Sequence, residues 1–273
     1  VILPTLVGPS YRTMSPTSDP SECINWYVET LQDASAKAPA VCYPSPGFTA
    51  HLNLTPGPIR ATYTAYDGRV FVVSGFNLYE ILSNGTSTLR GTVSLDDNPA
   101  TISSNGAAGG QLFITSGGIG YNYDLGTNVL SVVLASGADM GAYLNNVFIA
   151  LDTTLSLIQL SDIDDGSTWD PTQFAQRSLA ADPWVSMMIR NSELWLLGSQ
   201  TSEVWSNQGL FPFPFAPIPG AFMNTGCAAA FSAGVVDNVG IWVAKNDQGD
   251  GVIVRTGGYG VQRLSTHPVE FAI

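Results

Sequence analysis

The chain has 273 residues, 45% of them hydrophobic and only 12% charged, with 28 glycines and 17 prolines. That composition supplies a sizeable core and excludes the disordered class, which pairs low hydrophobicity with high net charge. The net charge of −12, from 22 acidic against 10 basic residues, argues against tight phosphate-backbone binding, which needs clustered cations to release counterions.

Residues 1–58 hold nine of the 17 prolines. Proline removes a backbone donor and fixes φ, so this stretch reads as an extended, Pro-rich N-terminal segment. Within it Asn25-Trp26-Tyr27-Val28-Glu29-Thr30-Leu31 has strand composition, and Tyr43-Pro44-Ser45-Pro46-Gly47-Phe48 reads as a turn.

From residue 59 a repeat takes over. Five short apolar runs carry an aromatic in their middle: Val70–Val73, Leu112–Ile114, Val147–Ala150, Leu194–Leu197 and Ile241–Ala244. The aromatics Phe71, Phe113, Phe148, Trp195 and Trp242 are separated by 42, 35, 47 and 47 residues, close to the roughly 40–50 residues of one propeller blade. Each run opens a strand–turn–strand unit. The pairs are Arg69–Val73 with Leu78–Leu82, Gln111–Thr115 with Gly120–Asp124, Val147–Leu151 with Leu155–Leu160, Glu193–Gly198 with Ser202–Ser206, and Gly240–Ala244 with Val252–Arg255. Asn84-Gly85 is the strongest hairpin signal between units. No βαβ or helical-bundle pattern competes. One unit cannot bury both faces of its small sheet, so stability has to come from neighbours stacked around an axis. The expected fold is all-β, a β-propeller of about 40-residue strand repeats over 59–273 behind the segment 1–58. The apolar end Val269–Ile273 reads as a strand lacking a partner, so the propeller is expected to be incomplete there and the native chain to continue.

Asp164-Asp165-Gly166-Ser167-Thr168-Trp169 fits the Asp-x-Gly-x-Thr-Trp core of an Asp-box hairpin, with Asp162 where a Ser or Thr is usual. In that reading the Asp164 carboxylate accepts turn amides, Gly166 supplies an open backbone angle, and Trp169 packs beneath the hairpin. Asp162, Asp164 and Gly166 also echo a calcium loop, but the terminal Glu at the required spacing is missing, so no metal site is expected. Leu210-Phe211-Pro212-Phe213-Pro214-Phe215 is the most unusual stretch. It packs over the propeller edge, or Phe211, Phe213 and Phe215 anchor a subunit interface.

Catalytic constellations are absent. The histidines, His51 and His267, are far apart, and no Gly-x-Ser-x-Gly elbow occurs. No phosphate-cradling Gly-Lys loop or dinucleotide fingerprint is present, so no cofactor is expected. The arginines are scattered rather than clustered as a bidentate carboxylate clamp would need. Cys23, Cys42 and Cys227 form no zinc pattern and read as buried free thiols, with a Cys23–Cys42 bridge the alternative in an oxidising compartment. No run approaches transmembrane length, and Val1-Ile2-Leu3-Pro4 lacks the regions of a signal peptide, so no membrane anchor is expected.

From Glu193 onward a more specific likeness emerges. Leu194-Trp195-Leu196-Leu197-Gly198-Ser199-Gln200-Thr201-Ser202-Glu203-Val204-Trp205 is followed by Pro212-Phe213, Pro219-Gly220-Ala221, Gly226-Cys227-Ala228-Ala229, Asp237-Asn238, Gly258-Tyr259 and Gln262-Arg263-Leu264-Ser265-Thr266-His267. Upstream, Ser161-Asp162 with Asp164–Pro171, Phe174-Ala175, Gly8-Pro9-Ser10-Tyr11, Asn25–Glu29 and Pro46-Gly47 continue the series. In this order they resemble the packaged-DNA stabilisation proteins of short-tailed bacteriophages, also called tail accessory or tail nozzle proteins. The resemblance implies a non-catalytic virion protein in the phage tail, assembled in the host cytoplasm. It implies a homo-hexameric ring below the portal and adaptor proteins, which prolongs the channel for double-stranded DNA, retains the packaged DNA, conducts it during ejection, and docks the tail needle and the tailspikes or fibres. A like-charged surface suits that task, because it passes a polyanion without gripping it. The competing readings are a glycan-binding or glycan-cleaving, sialidase-like propeller, supported by the Asp box alone, and a receptor-binding tail protein.

Overall fold

The computed structural model describes residues 25–30, 40–177, 179–245, 249 and 251–273. Gly8–Tyr11, Cys23 and most of the turn after Lys245 lie outside them. The chain divides into two compact units, Leu52–Arg263 and a second drawn from both chain ends, up to His51 and from Leu264 on.

In the end unit, β1 (Trp26–Thr30) pairs antiparallel with β2 (Ala40–Pro44), so the strand-like piece of the Pro-rich segment is one arm of a hairpin. The apolar end does not form the expected strand. His267–Glu270 is a single helical turn, α2 in chain order, because Thr266 stands extended at its N-cap and proline occupies its first turn, where a missing N–H costs nothing.

The larger unit consists of five four-stranded antiparallel sheets, each in chain order from inside to outside. Blade 1 is β3 (Ile59–Thr64), β4 (Val70–Ser74), β5 (Asn77–Ile81) and β6 (Ser87–Thr92). Blade 2 is β7 (Thr101–Ser104), β8 (Gln111–Ser116), β9 (Ile119–Asp124) and β10 (Val129–Leu134), with the one-turn helix α1 (Gly106–Gly109) after β7. Blade 3 is β11 (Met140–Leu144), β12 (Val147–Asp152), β13 (Leu157–Asp162) and β14 (Asp165–Gln176). Blade 4 is β15 (Trp184–Arg190), β16 (Glu193–Gly198), β17 (Ser202–Asn207) and β18 (Phe215–Met223). Blade 5 is β19 (Gly234–Val236), β20 (Val239–Lys245), β21 (Gly251–Gly257) and β22 (Gly260–Arg263). The inner strands β3, β7, β11, β15 and β19 pack side by side in that order, and no comparable packing joins β19 back to β3 among the described residues. The five sequence repeats are therefore the middle hairpins of five blades.

The apolar runs are continuous because second strands bury both faces. In β12, Phe148 and Ala150 pack with Phe113 and Leu134 of blade 2, while Val147, Ile149 and Leu151 pack with Leu194 and Leu196 of blade 4. In β16, Trp195 and Leu197 instead turn to Trp242 and Ala244 of blade 5. Four separate cores result, one per blade–blade interface. All five repeat aromatics are 0% exposed. Phe71 meets Tyr123 edge-on at 5.2 Å, and Phe113 meets Phe148 at 5.6 Å.

Buried polar groups fix the linkers between blades. Arg60, 7% exposed, donates to the carbonyls of Gly75, Ser94 and Asn98. Arg177 donates to the Asp182 carbonyl and to Thr201, and lies 3.2 Å from both the Asp182 and the Glu203 carboxylates. Glu203, 1% exposed, accepts the Trp184 indole N–H at 2.8 Å. Burial opposes the charge on Asp182, but the amides of Gln200 and Thr201, the Thr201 hydroxyl and the Arg177 charge outweigh it and hold its carboxyl below the ordinary range.

Trp195→Ala is expected to remove about 3–5 kcal/mol of stability by opening a cavity between blades 4 and 5, whereas Phe211→Ala, at a 96% exposed site, stays within about 0.5 kcal/mol. Urea unfolding of both variants checks the contrast. Arg177→Met leaves two buried carboxylates without their cation and is expected to cost about 3–5 kcal/mol, read in the same experiment.

Candidate functional site

The inner strands bring residues from several blades to one place at the starts of β7, β11 and β15. The cavity there is about 240 Å³. Ala100, Thr101, Met140, Ser186, Met187 and Phe231 are among its walls, and no lining residue is ionisable. It offers neither an acid–base pair nor a charged clamp.

The Asp-box residues gather at the other ends of the strands, on the β13–β14 corner, with roles different from those the motif suggested. Asp164 takes the left-handed conformation, φ 53°. Its carboxylate accepts the Tyr143 hydroxyl at 2.6 Å rather than turn amides. The acceptor of the turn is Asp165, which receives the Ser167 amide at 2.9 Å and the Ser167 and Thr168 hydroxyls at 2.6 and 3.0 Å. Burial works against the Asp165 charge, but these donors and Gln111 hold its carboxyl below the usual range. Gly166 is needed for close approach and not for an open angle: a Cβ there would lie 2.8 Å from the Phe148 ring and 2.9 Å from Asn122 Oδ1. Thr168 is exposed, and Trp169 stacks on Phe113 at 4.9 Å while donating to the Gly166 carbonyl. Blade 2 completes the corner. Asn105 donates to the Asp164 carbonyl, and Gln111 both donates to Asp165 and accepts the Gly166 amide. Burial and Asp164 together push the Tyr143 hydroxyl up to about 12, so it stays a donor. These contacts join blades 2 and 3 and leave Asp164 and Asp165 engaged; Asp162 alone has no side-chain partner among the described residues.

The phenylalanine stretch separates into three environments. Phe215 is 2% exposed inside the core between blades 3 and 4. Phe213 is partly buried against Trp205 and Phe215. Of the three phenylalanines, only Phe211 stands open to solvent. Phe211 is 96% exposed and, with Leu210, Asn145, Val147, Asp162 and Ile163, lines a groove. The groove measures about 520 Å³. Sequence spacing gave no sign that Asp162 and Phe211 share a site.

The remaining candidates are dispersed. His51 is exposed, and His267 lies 3.6 Å from Glu270. No cluster of potential metal ligands occurs among the described residues. Arg69 and Arg90 both bind Glu80, whose carboxyl is held low first by the Arg69 hydrogen bond. Arg190 stacks over Trp195 and donates to the Asn238 carbonyl. Cys227 is a buried free thiol raised by burial, and Cys42 is free and half-buried.

Five stacked blades, a cavity without ionisable lining at the inner strands and polar residues spent on joining blades define the chain as a β-propeller. A family model described as Bacteriophage P22 Gp10, beta-propeller, matches residues 27–273. The chain belongs to this family of phage tail proteins that stabilise packaged DNA, and it is a structural component of the virion. No curated protein matches it. Among solved structures, it is similar to virginiamycin B lyase from Staphylococcus aureus, at 14% identity and a TM-score of 0.52, over 89% of this chain and 78% of the lyase. It is also similar to PorZ, a surface component of the type-IX secretion system of Porphyromonas gingivalis, at 16% identity and a TM-score of 0.52, over 85% of this chain and 30% of PorZ. At these identities the likeness is one of fold. No helix among the described residues is long and apolar enough to cross a membrane.

Gly166→Ala is expected to cost about 1–3 kcal/mol by overpacking against Phe148, as measured by thermal unfolding. The stabilisation from Asp165 is fully present above its unfolded value of about 3.9 and is lost as pH falls through its lower folded value. Asp165→Asn should therefore flatten the stability–pH curve across that acid window and leave its neutral limb parallel to wild type.

Proposed function

We propose that this chain forms a homo-hexameric ring below the portal and adaptor of a phage tail. The ring retains packaged DNA, conducts it at ejection, and docks the needle and the spikes or fibres, without catalysis. The carrying observation is the axial cavity. At about 240 Å³ it has room for several waters at about 30 Å³ each, whereas one groove of duplex DNA is already about 12 Å wide. This supports a DNA passage between copies, as in a ring, rather than through a single copy. The net charge of −12 favours passage over grip, since a protein without a free cationic cluster releases few counterions from DNA.

The glycan-cleaving alternative loses its support at the Asp-box corner. Asp164 and Asp165 are engaged in joining blades, and Arg60 and Arg177 are buried on linker carbonyls. The aspartates are therefore not free for acid–base work, nor these arginines to clamp a sugar carboxylate.

In native mass spectrometry the full chain is expected as a six-copy assembly. Phage particles lacking the chain are expected to package DNA and then lose it. A single copy per particle, placed away from the tail axis, overturns this reading.

A further inference from the structure

Asp162 and Phe211, the two sequence features left without a role in the propeller, line one groove with Asn145, Gln173 and Asn207. Blades 3 and 4 build it, and each of them is flanked by a blade on both sides. Its residues are held in place locally. Asn145 and Asn146 both take left-handed backbone, φ 50° and 68°, in the two-residue turn from β11 to β12. Asp162 sits at a register shift between β13 and β14. The loop that carries Phe211 is closed at its base by the Gln208 amide, which donates to the Pro214 carbonyl at 2.8 Å.

Four polar side chains of the groove keep unused hydrogen-bonding groups. Asn145, Asp162 and Gln173 make no side-chain hydrogen bond among the described residues, and Asn207 uses only its Oδ1, which accepts the Gly209 amide at 2.9 Å. Beside them the Phe211 ring is 96% exposed, next to the apolar lining residues Val147 and Pro214. At about 520 Å³ the groove falls in the range of small-ligand sites, which pair an apolar lining with a few convergent polar groups. The lining selects the ligand. It contains no cation, so phosphates, nucleic acid and acidic sugars find no counter-charge. Its one carboxylate lacks the further oxygen ligands that a divalent cation takes. A purely apolar partner would bury the amides unpaired, which costs binding. A ligand with an apolar C–H face and hydroxyls around its rim meets every condition. The face packs on the ring, whose π-surface is negative. The amides donate to and accept from hydroxyls, and the Asp162 carboxylate accepts a charge-assisted hydrogen bond.

We propose that the groove formed by Asn145, Asp162, Gln173, Asn207 and Phe211 binds a short neutral saccharide. It binds without cleaving, because glycoside hydrolysis uses two carboxyl groups that flank the scissile bond. Asp162 is the one carboxyl group in the lining, and neighbouring Asp164 spends its carboxylate on Tyr143. The site belongs to a single copy and stands whether or not the chain forms a ring. It adds contact with a carbohydrate to the chain's place in the tail.

A glycan array displaying neutral and sialylated oligosaccharides tests it with the fluorescently labelled full chain. Binding to a set of neutral glycans and to none of the sialylated ones is expected. For a bound glycan, Phe211→Ala, Gln173→Ala and Asp162→Ala are each expected to raise the dissociation constant about tenfold, with thermal unfolding of the chain unchanged. Phe211→Tyr, which keeps the ring, should retain binding. An array on which no neutral glycan is bound overturns the proposal. So does binding that none of the three alanine substitutions weakens, which places the site elsewhere, and so does a preference for sialylated glycans. Loss of the six-copy assembly in Phe211→Ala, with no glycan bound by the wild-type chain, makes the groove a contact between copies and likewise overturns it.

Discussion

A four-stranded blade is two-faced, and its second strand is apolar on both faces; this governs the molecule. Neither face can be satisfied inside its own blade, so every interior blade needs two neighbours. The parity of β12 shows how this is met. Phe148 and Ala150 serve blade 2, and Val147, Ile149 and Leu151 serve blade 4. Stability is then a chain of nearest-neighbour terms rather than one central core, and a defect between two blades is felt mainly by those two. Blades 1 and 5 have only one neighbouring blade each among the described residues.

Thin apolar interfaces create a polar problem at the linkers. Where the chain leaves an outer strand and enters the next inner one, carbonyls and amides turn away from sheet partners and must be satisfied within the protein. The solution here is long donors reaching across. Arg60 takes the Ser94 and Asn98 carbonyls after blade 1 and ties them to the Gly75 carbonyl of the β4–β5 turn, Arg177 holds the step from blade 3 to blade 4, and the Trp242 indole donates to the Gly226 carbonyl after blade 4. Arginine suits this because its fork presents several donors in fixed geometry and stays charged. The consequence is electrostatic. A chain with ten basic residues spends several on its own scaffold, so the exterior is more uniformly acidic than composition alone conveys.

The five blades were legible because a strand buried on both faces writes an unbroken apolar run, and such a run needs no partner to be recognised. Inner and outer strands were faint for the opposite reason. Thr101–Ser104 is half-buried throughout and Gly234–Val236 is exposed, so neither carries a periodic signal. At the Asp box, spacing located the corner but not the acceptor, because a left-handed backbone at Asp164 turns that carboxylate toward Tyr143 and leaves the turn to Asp165. The Phe-Pro stretch looked like one feature, but a strand start lies within it. Phe215 enters the core with β18 while Phe211 remains outside. Which neighbour an aromatic faces is a tertiary fact: Phe113 faces forward to blade 3 and Trp242 backward to blade 4, although their runs look alike.

In the ring reading proposed above, an acidic scaffold retains DNA sterically. Affinity for phosphate would rise as salt falls and would slow the strand at ejection, whereas a like-charged wall hinders escape only by its shape. Such a wall must be rigid, because like charge offers no restoring contact when DNA presses on it. Rigidity in turn favours blades joined by buried aromatics and arginine forks over flexible charged loops. The same residues that make the propeller stiff are those withdrawn from its surface, so the uncharged lining of the inner cavity and the acidic exterior follow from one allocation of side chains.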